Sequence, residues 1–297
     1  MSSTAKLEKP QVPLDVNFVS RGDGSPIVLI HGLAASLHDW DQLTPALVAS
    51  GYATHALDLL GHGDSAKPPA AFYELDWLMD HFVSWLAGLG LGAPAVLIGH
   101  SLGGYVALEY TRRHPDAVRA LVLVDPFYSN GQLPWFLRVA YAHPRGTSFF
   151  MRRTPPWLVR WAIDLTSLLM GHRKGGLHAL PEPVRAQTAA DYMRTAPATY
   201  GILQPEIDLT PHLASIAVPT LVIWGEQDRT LTPASFLDLV KQLPKAVGKS
   251  SATGHVPHQA EAEWFTEQVL TFLGTLAEHA PETTPAGTTS PGMATGQ

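Results

Sequence analysis

Gly99-His100-Ser101-Leu102-Gly103 sets a serine two residues from a glycine on either side. The apolar run Ala95 to Ile98 leads into it, and a helix-forming segment, Gly103 to Arg113, leads away. A serine on such a strand-to-helix corner is held in a sharp, strained turn with its hydroxyl presented. The glycines allow neighbouring backbone to come close. The first N–H groups of the following helix have no partner inside it, so they are free to receive a developing oxyanion. The competing reading is a glycine-rich surface turn. The strand before and the helix after favour the reactive corner.

A serine hydroxyl is a weak nucleophile at neutral pH. It needs a base, and the base needs an orienting acid. Among 14 histidines, His255 follows Gly254 and the weak strand Val247 to Ser251, which puts it at the same strand edge as Ser101. His258, three residues on, is the rival. His100 is beside the serine, where neighbours in the turn point apart, and reads as structural. The acid is expected after another strand. Asp228 closes Trp224-Gly225-Glu226-Gln227-Asp228, just past the apolar run Leu221 to Trp224. Asp125, at the end of Ala120 to Val124, is the alternative. Glu226 lies closer to its strand and reads as solvated or paired with a cation. Two N–H donors are needed for the oxyanion. Leu102 follows the serine directly. Leu33 follows His31-Gly32, the turn after an early apolar run. The His31 side chain reads as a hydrogen-bonding turn residue.

The elements that must hold these residues alternate along the chain. Leu14 to Val19 reads as an edge strand and Pro26 to Ile30 as a strand buried on both faces. A helix is expected from Trp40 to Ala49, a strand at Ala53 to Leu57 and a helix at Leu75 to Leu89. The serine corner and the strand Ala120 to Val124 follow. The alternation resumes with a strand at Pro219 to Trp224, a helix at Pro233 to Gln242, the strand Val247 to Ser251 and a closing helix from Glu261 to Leu276. Strand and helix in turn imply a mostly parallel sheet covered on both faces. Residues 127–213 interrupt the pattern with Trp, Pro, Phe and Arg and short helical stretches such as Trp157 to Met170. Inserted between two sheet strands, they are expected to emerge at the carboxyl edge, where ligands bind in open α/β sheets, and to form a helical cap. The expected organisation is a flexible N-terminus at 1–13, a core at 14–126 and 214–279, the cap at 127–213 and a disordered tail at 280–297.

Composition removes several classes. With a formal net charge of −6 and no cysteine, nucleic acid is not an expected partner, and disulfides, thiolate catalysis and Cys-type zinc sites are excluded. Residues 81–108 carry no Asp, Glu, Lys or Arg, but their glycines, Pro94 and the strand signal argue against a membrane span. Met1 to Asp15 has no apolar core of a secretory signal, so a cytoplasmic protein is expected. There is no His-Glu-x-x-His metal motif, and His255 with His258 reads better as part of the serine machinery. Gly171-His172-Arg173-Lys174-Gly175-Gly176 lacks the register of a phosphate loop and reads as a solvated turn. Trp157 to Leu165 is amphipathic, and packing onto the core is preferred to membrane contact.

From about Val16 to Leu276 the chain resembles the α/β-hydrolase superfamily. The resemblance rests on His31-Gly32, the Asp58 to Ser65 segment, the Ser101 turn, Gly225-Glu226-Gln227-Asp228, and Gly254-His255-Val256-Pro257-His258 followed by Glu261. It implies Ser101 as nucleophile, Asp228 as acid, His255 as base, and the Leu33 and Leu102 N–H groups as oxyanion donors. It also implies that Asp58 to Ser65 is a structural loop and that Asp125 supports the site. The chain order Ser101, Asp228, His255 is that of the superfamily's triad, and Asp125 would give the same order. Epoxide hydrolases and haloalkane dehalogenases share the layout but carry Asp where this chain has Ser101. Carbon–carbon bond hydrolases use serine, yet typically have a glycine-rich run where this chain reads Leu33-Ala34-Ala35-Ser36.

The expectation is a serine hydrolase that cleaves a carboxylic ester through an acyl-enzyme, without a cofactor. Its substrate would be an apolar small-molecule ester or related carbonyl compound. Of the large apolar residues of the insertion, Trp135, Phe136, Phe149, Phe150, Trp157, Trp161, Leu168, Leu169 and Met170, some are expected to pack it onto the core, and their number suggests an acyl-pocket wall as well, suited to medium-chain or aromatic esters. The alternatives are a carbon–carbon bond hydrolase, a cofactor-free haloperoxidase or perhydrolase, and a ligand receptor of the same fold. Oligomeric state is left open.

Overall fold

In the computed structural model, residues 15–141, 143–170, 179–203 and 207–278 are described. The expected flexible N-terminus, the tail at 280–297 and the Gly171 to Gly176 segment lie outside them.

Seven strands among the described residues form one sheet: β1 (Phe18–Arg21), β2 (Ser25–Ile30), β3 (Tyr52–Leu57), β4 (Ala95–His100), β5 (Val118–Val124), β6 (Thr220–Gly225) and β7 (Ala246–Ser251). Their spatial order is β1-β3-β2-β4-β5-β6-β7. Only β1 runs antiparallel, pairing Phe18 with Leu57. The other neighbours are parallel. The period of two in the central strands feeds two cores. Val28, Leu97, Leu121 and Val222 face one side, with Phe82, Val106 and Phe236 from helices. Ile27, Leu29, Ile98, Val122 and Ile223 face the other, with Trp40, Leu47, Phe265 and Val269. This is why these strands read as unbroken apolar runs.

The first core is covered by α2 (Leu75–Gly88), α3 (Leu102–Arg113) and, after the insertion, α8 (Ala234–Gln242). The second is covered by α1 (Thr44–Ala49) and α10 (Ala262–Glu278), which follows the short α9 (Pro257–Ala260). The helix expected from Trp40 to Ala49 is split. Ser36 caps a 3₁₀ turn at Leu37–Trp40 through its hydroxyl, and Pro45 in the first turn of α1 favours a fresh start there.

Between β5 and β6 lie α4 (Trp135–Tyr141), α5 (Pro144–Arg153), α6 (Pro156–Met170) and α7 (Glu182–Arg194). The root of this insertion is pinned by the buried Gln132. Its carbonyl oxygen accepts the Tyr128 and Ser129 N–H groups, and its amide donates to the Pro126 carbonyl and the Ser235 hydroxyl. Its return is tied to the core by Tyr73 N–H on the Ala198 carbonyl and by Ala196 N–H on the Gly61 carbonyl, at 2.9 and 2.7 Å. Helices α6 and α7 are joined by Arg160 and Arg185 bridging Asp164 and Glu182.

The expected packing of the insertion's largest apolar residues onto the core is not observed. Trp135, Phe136, Phe149, Phe150, Trp157, Trp161 and Leu168 are exposed. The insertion is held instead by hydrogen bonds at its two ends and by ion pairs between its helices. Its apolar contacts with the core come from residues near those ends, Phe127, Tyr128, Leu133, Ile202 and Leu203.

Candidate active site

Every site residue read from the sequence sits at the carboxyl edge of the sheet, because each follows a parallel strand. Ser101 is the corner between β4 and α3, with φ 49° and ψ −112°. A non-glycine residue with positive φ is strained. The strain is held by bonds on both sides: Ser101 N–H donates to the Val124 carbonyl, and the Ser101 carbonyl accepts the Phe127 N–H, each at 2.9 Å. The corner also needs Gly103, since a Cβ there would collide with the Ile30 carbonyl oxygen of β2.

His255 lies in the loop between β7 and α9. Its Nε2 is 3.0 Å from Ser101 Oγ and its Nδ1 is 2.7 Å from Asp228 Oδ2. Asp228 is buried, and its other oxygen accepts the N–H groups of Thr230 and Leu231 at 2.7 and 3.0 Å. Burial alone would raise this carboxyl. The His255 imidazole and the two backbone N–H groups outweigh it and hold the acid below the usual range.

Asp125, the alternative acid, is fully buried and donates or accepts nothing from His255. It accepts the Gly225 N–H at 3.0 Å. Burial, and then the charge of Asp228 beside it, raise its pKa well above the ordinary value, which favours its protonated form beside Asp228. Their environments push the two carboxyls apart: Asp228 is favoured as an anion facing an imidazole, and Asp125 toward its protonated form as a brace between β5 and β6.

His258 turns away from the serine. It is buried against Trp40, His100 and Phe265, because Pro257 starts α9 and rotates position 258 toward the second core. His100 is likewise structural. Its Nε2 donates to the His255 carbonyl at 2.9 Å, which ties the strand β4 side of the site to the loop that carries His255. On its other side it faces Asp39. Burial, with His258 adding to it, lowers the His100 pKa to about 4. Glu226 is exposed and accepts the Ser250 hydroxyl. His31 is a hydrogen-bonding turn residue: Nδ1–H donates to the Gly32 carbonyl and Nε2 accepts the Leu59 N–H. Asp58 organises its own loop, accepting the N–H groups of Leu37 and Asp64 and the Asn17 amide.

Leu33 and Leu102 both line a cavity of about 120 Å³ that also contains Ser101 and His255. Leu102 opens α3, so its N–H has no helical acceptor. The apolar wall comes from Phe127, Leu133, Tyr192, Tyr200, Leu203 and Leu231. Of the nine residues expected to form that wall, Trp135, Phe136, Phe149, Phe150, Trp157, Trp161 and Leu168 are not among the described lining residues, and the side chains of Leu169 and Met170 lie outside what is described.

A sequence model of the alpha/beta hydrolase fold family matches residues 25–261. The chain belongs to that family. Curated relatives of this alpha/beta hydrolase include Lipase 1 of Psychrobacter immobilis, 26% identical over 242 residues, which span 79% of this chain and 72% of the lipase. A pimeloyl-acyl-carrier-protein methyl ester esterase of Vibrio vulnificus is 27% identical over 270 residues, 88% of this chain and 98% of the esterase. Among solved structures, a thermophilic esterase from Thermogutta terrifontis superposes with a TM-score of 0.74 at 21% identity, covering 89% of this chain and 94% of that one. A bromoperoxidase from Bacillus anthracis does so with a TM-score of 0.75 at 22% identity, covering 89% and 97%. At these identities the structural likeness speaks to the fold alone.

Sequence reasoning about this alpha/beta hydrolase missed Asp39 and Asp191. Neither carries a motif; each matters only through what folding sets beside it. Asp191, on α7, is buried and accepts the Gln187 amide at 2.9 Å. Burial, with Asp39 nearby, raises its pKa to about 6, against the hydrogen bond from Ser36. A carboxyl that holds its proton more tightly when folded stabilises the fold below its unfolded pKa. That stability is lost as pH rises through about 6. Asp191→Asn should therefore remove a loss of up to about 3 kcal/mol between pH 4 and pH 7. Denaturant unfolding of both proteins across that range checks it; equal slopes of stability against pH would remove Asp191 as the source.

Proposed function

We propose that this protein is a serine ester hydrolase acting on small-molecule carboxylic esters. The observation that carries the reading is the continuous contact from Asp228 through His255 to Ser101, at 2.7 and 3.0 Å, ending in the cavity. The relatives named as lipase and esterase support the same reaction class.

In the proposed mechanism, Asp228 accepts the Nδ1 proton of His255 in a hydrogen bond, which leaves the Nε2 lone pair toward Ser101. As the serine oxygen attacks the acyl carbonyl, its proton passes to Nε2, and the buried Asp228 stabilises the imidazolium. The Leu33 and Leu102 N–H groups receive the oxyanion. Collapse of the tetrahedral intermediate breaks the ester C–O bond, and Nε2–H protonates the departing alcohol. Water then gives a proton to Nε2 and attacks the acyl-enzyme, releasing the acid and restoring Ser101. No cofactor enters any step. The insertion acts as a cap in this reading, because Tyr192 and Tyr200 from its far end join Phe127 and Leu133 from its root around the cavity.

The cavity sets the acyl preference. A dry cavity of about 150 Å³ holds one benzene, and the space beside Ser101 is somewhat smaller. The medium-chain preference expected from the insertion's aromatic content therefore gives way to a short acyl group. Each buried CH₂ contributes about 0.8 kcal/mol until the space is full. On a graded p-nitrophenyl ester series, kcat/KM should rise by about tenfold from acetate to butyrate and fall again by decanoate. A monotonic rise to decanoate would overturn the short-acyl assignment. Labelling tests the reaction class separately: a fluorophosphonate should modify Ser101 and abolish turnover, and turnover surviving full modification would overturn the serine mechanism.

A further inference from the structure

The apolar residues left outside by the insertion are concentrated on one stretch of chain. Trp135, Phe136 and Val139 are on α4, Phe149 and Phe150 on α5, and Trp157, Trp161 and Leu168 on α6. Trp135 is 73% exposed, Trp157 69% and Phe150 67%. Tryptophan and phenylalanine are ordinarily buried, and exposure of so many on three successive helices marks surface that meets something apolar. On α6, Trp157, Trp161 and Leu168 fall on one face at helical spacing.

The charge of the same stretch names the occupant. Between Asp125 and Asp164 the chain carries Arg138, Arg145, Arg152, Arg153 and Arg160 and no acidic residue, within a protein of net charge −6; of these, Arg160 is taken up by Asp164 and Glu182. Arg138 and Arg153 have no acidic partner among the described residues, and the Arg153 guanidinium lies 3.8 Å over the Phe149 ring. A basic segment with exposed Trp and Phe on an otherwise acidic protein fits an anionic lipid surface. The aromatic rings enter the headgroup region and the guanidinium groups meet phosphate, while the rest of the molecule is repelled. No helix among the described residues is long and apolar enough to cross a membrane, so contact is along the surface.

We infer that α4, α5 and α6 dock this protein reversibly on anionic membranes. The docking face is one helix away from the cavity, since α6 packs on α7, which carries Tyr192 into the cavity wall.

The inference is independent of hydrolysis, and the test uses the full chain with Ser101→Ala so that no ester is turned over. The protein should co-sediment with vesicles of mixed phosphatidylglycerol and phosphatidylcholine, with a blue shift in tryptophan emission. Partition should fall about tenfold or more on pure phosphatidylcholine and again in high salt. Trp157→Ser with Trp161→Ser, and separately Arg138→Glu with Arg153→Glu, should each lower partition about tenfold and leave the circular dichroism spectrum unchanged, because these side chains are exposed. Absence of partition to either vesicle overturns the inference, as does partition that neither pair of substitutions changes. Concentration-dependent dimers in the absence of lipid, lost in the tryptophan variant while lipid binding is absent, would assign the face to a second copy of this chain and overturn it equally.

Discussion

Replacing Asp228 by asparagine lowers kcat about 10⁴-fold on the proposed mechanism. An amide at this position would turn an N–H toward His255 Nδ1 or lose the charge that steadies the imidazolium, and either change favours the wrong tautomer. The 2.7 Å contact to Nδ1 is the one at stake. Asp125→Asn is the necessary comparison. Burial and the neighbouring Asp228 push Asp125 toward its protonated form, and a neutral amide of the same shape keeps its bond from Gly225 N–H. It should cost no more than about tenfold in kcat, since it removes no charge from the reacting groups. Steady-state kinetics on one short-chain ester decides the matter. A large loss for Asp125→Asn with a small one for Asp228→Asn would exchange the two assignments.

Ser101→Ala is expected to lower kcat by at least about 10³-fold, because the members of such a triad act as a unit. Loss of activity alone would not separate a nucleophile from a structural corner, so stability provides the second readout. Ser101 stands at φ 49°, a conformation that costs about 1–3 kcal/mol for a side-chain-bearing residue. Ser101→Gly should therefore be as inactive as Ser101→Ala yet more stable than it, by about 1 kcal/mol or more. A strained residue that gains stability and loses all turnover on replacement is retained for its chemistry. Should Ser101→Ala keep near-normal esterase activity while folded, the nucleophile lies elsewhere.

The unbroken apolar runs of β2, β4, β5 and β6 made the parallel sheet legible, since a strand buried on both faces has no polar face. The glycines around Ser101 marked the corner, because only glycine tolerates the backbone of β2 lying against the start of α3. Strand ends then located Asp228, His255, Leu33 and Leu102 at one edge, as parallel strands require. These are local patterns, and chain order carries them.

Other features depend on contacts between segments far apart in sequence. Asp125 and Asp228 both follow strands, and only their different surroundings raise the pKa of one and lower that of the other, which faces His255. His255 and His258 differ by three residues, and the Pro257 start of α9 sends the second toward Trp40 and Phe265 and away from the serine. Helices α4, α5 and α7 were not read. Their amphipathic stripes do not meet a sheet, and α7 lacks a strong apolar face of its own. The aromatic content of the insertion was visible from the start, but composition does not say which way a side chain points. Hydrogen bonds of Gln132 at one end, of Ala196 and Ala198 at the other, and ion pairs between α6 and α7 hold the insertion without burying Trp135, Trp157 or Trp161. By itself the sequence determined the sheet, the serine corner and the set of residues gathered at its edge. Tertiary structure decided which carboxyl faces the imidazole, which histidine faces the serine and which apolar residues meet solvent, because each of these depends on burial and electrostatic surroundings that exist only once distant segments are packed together.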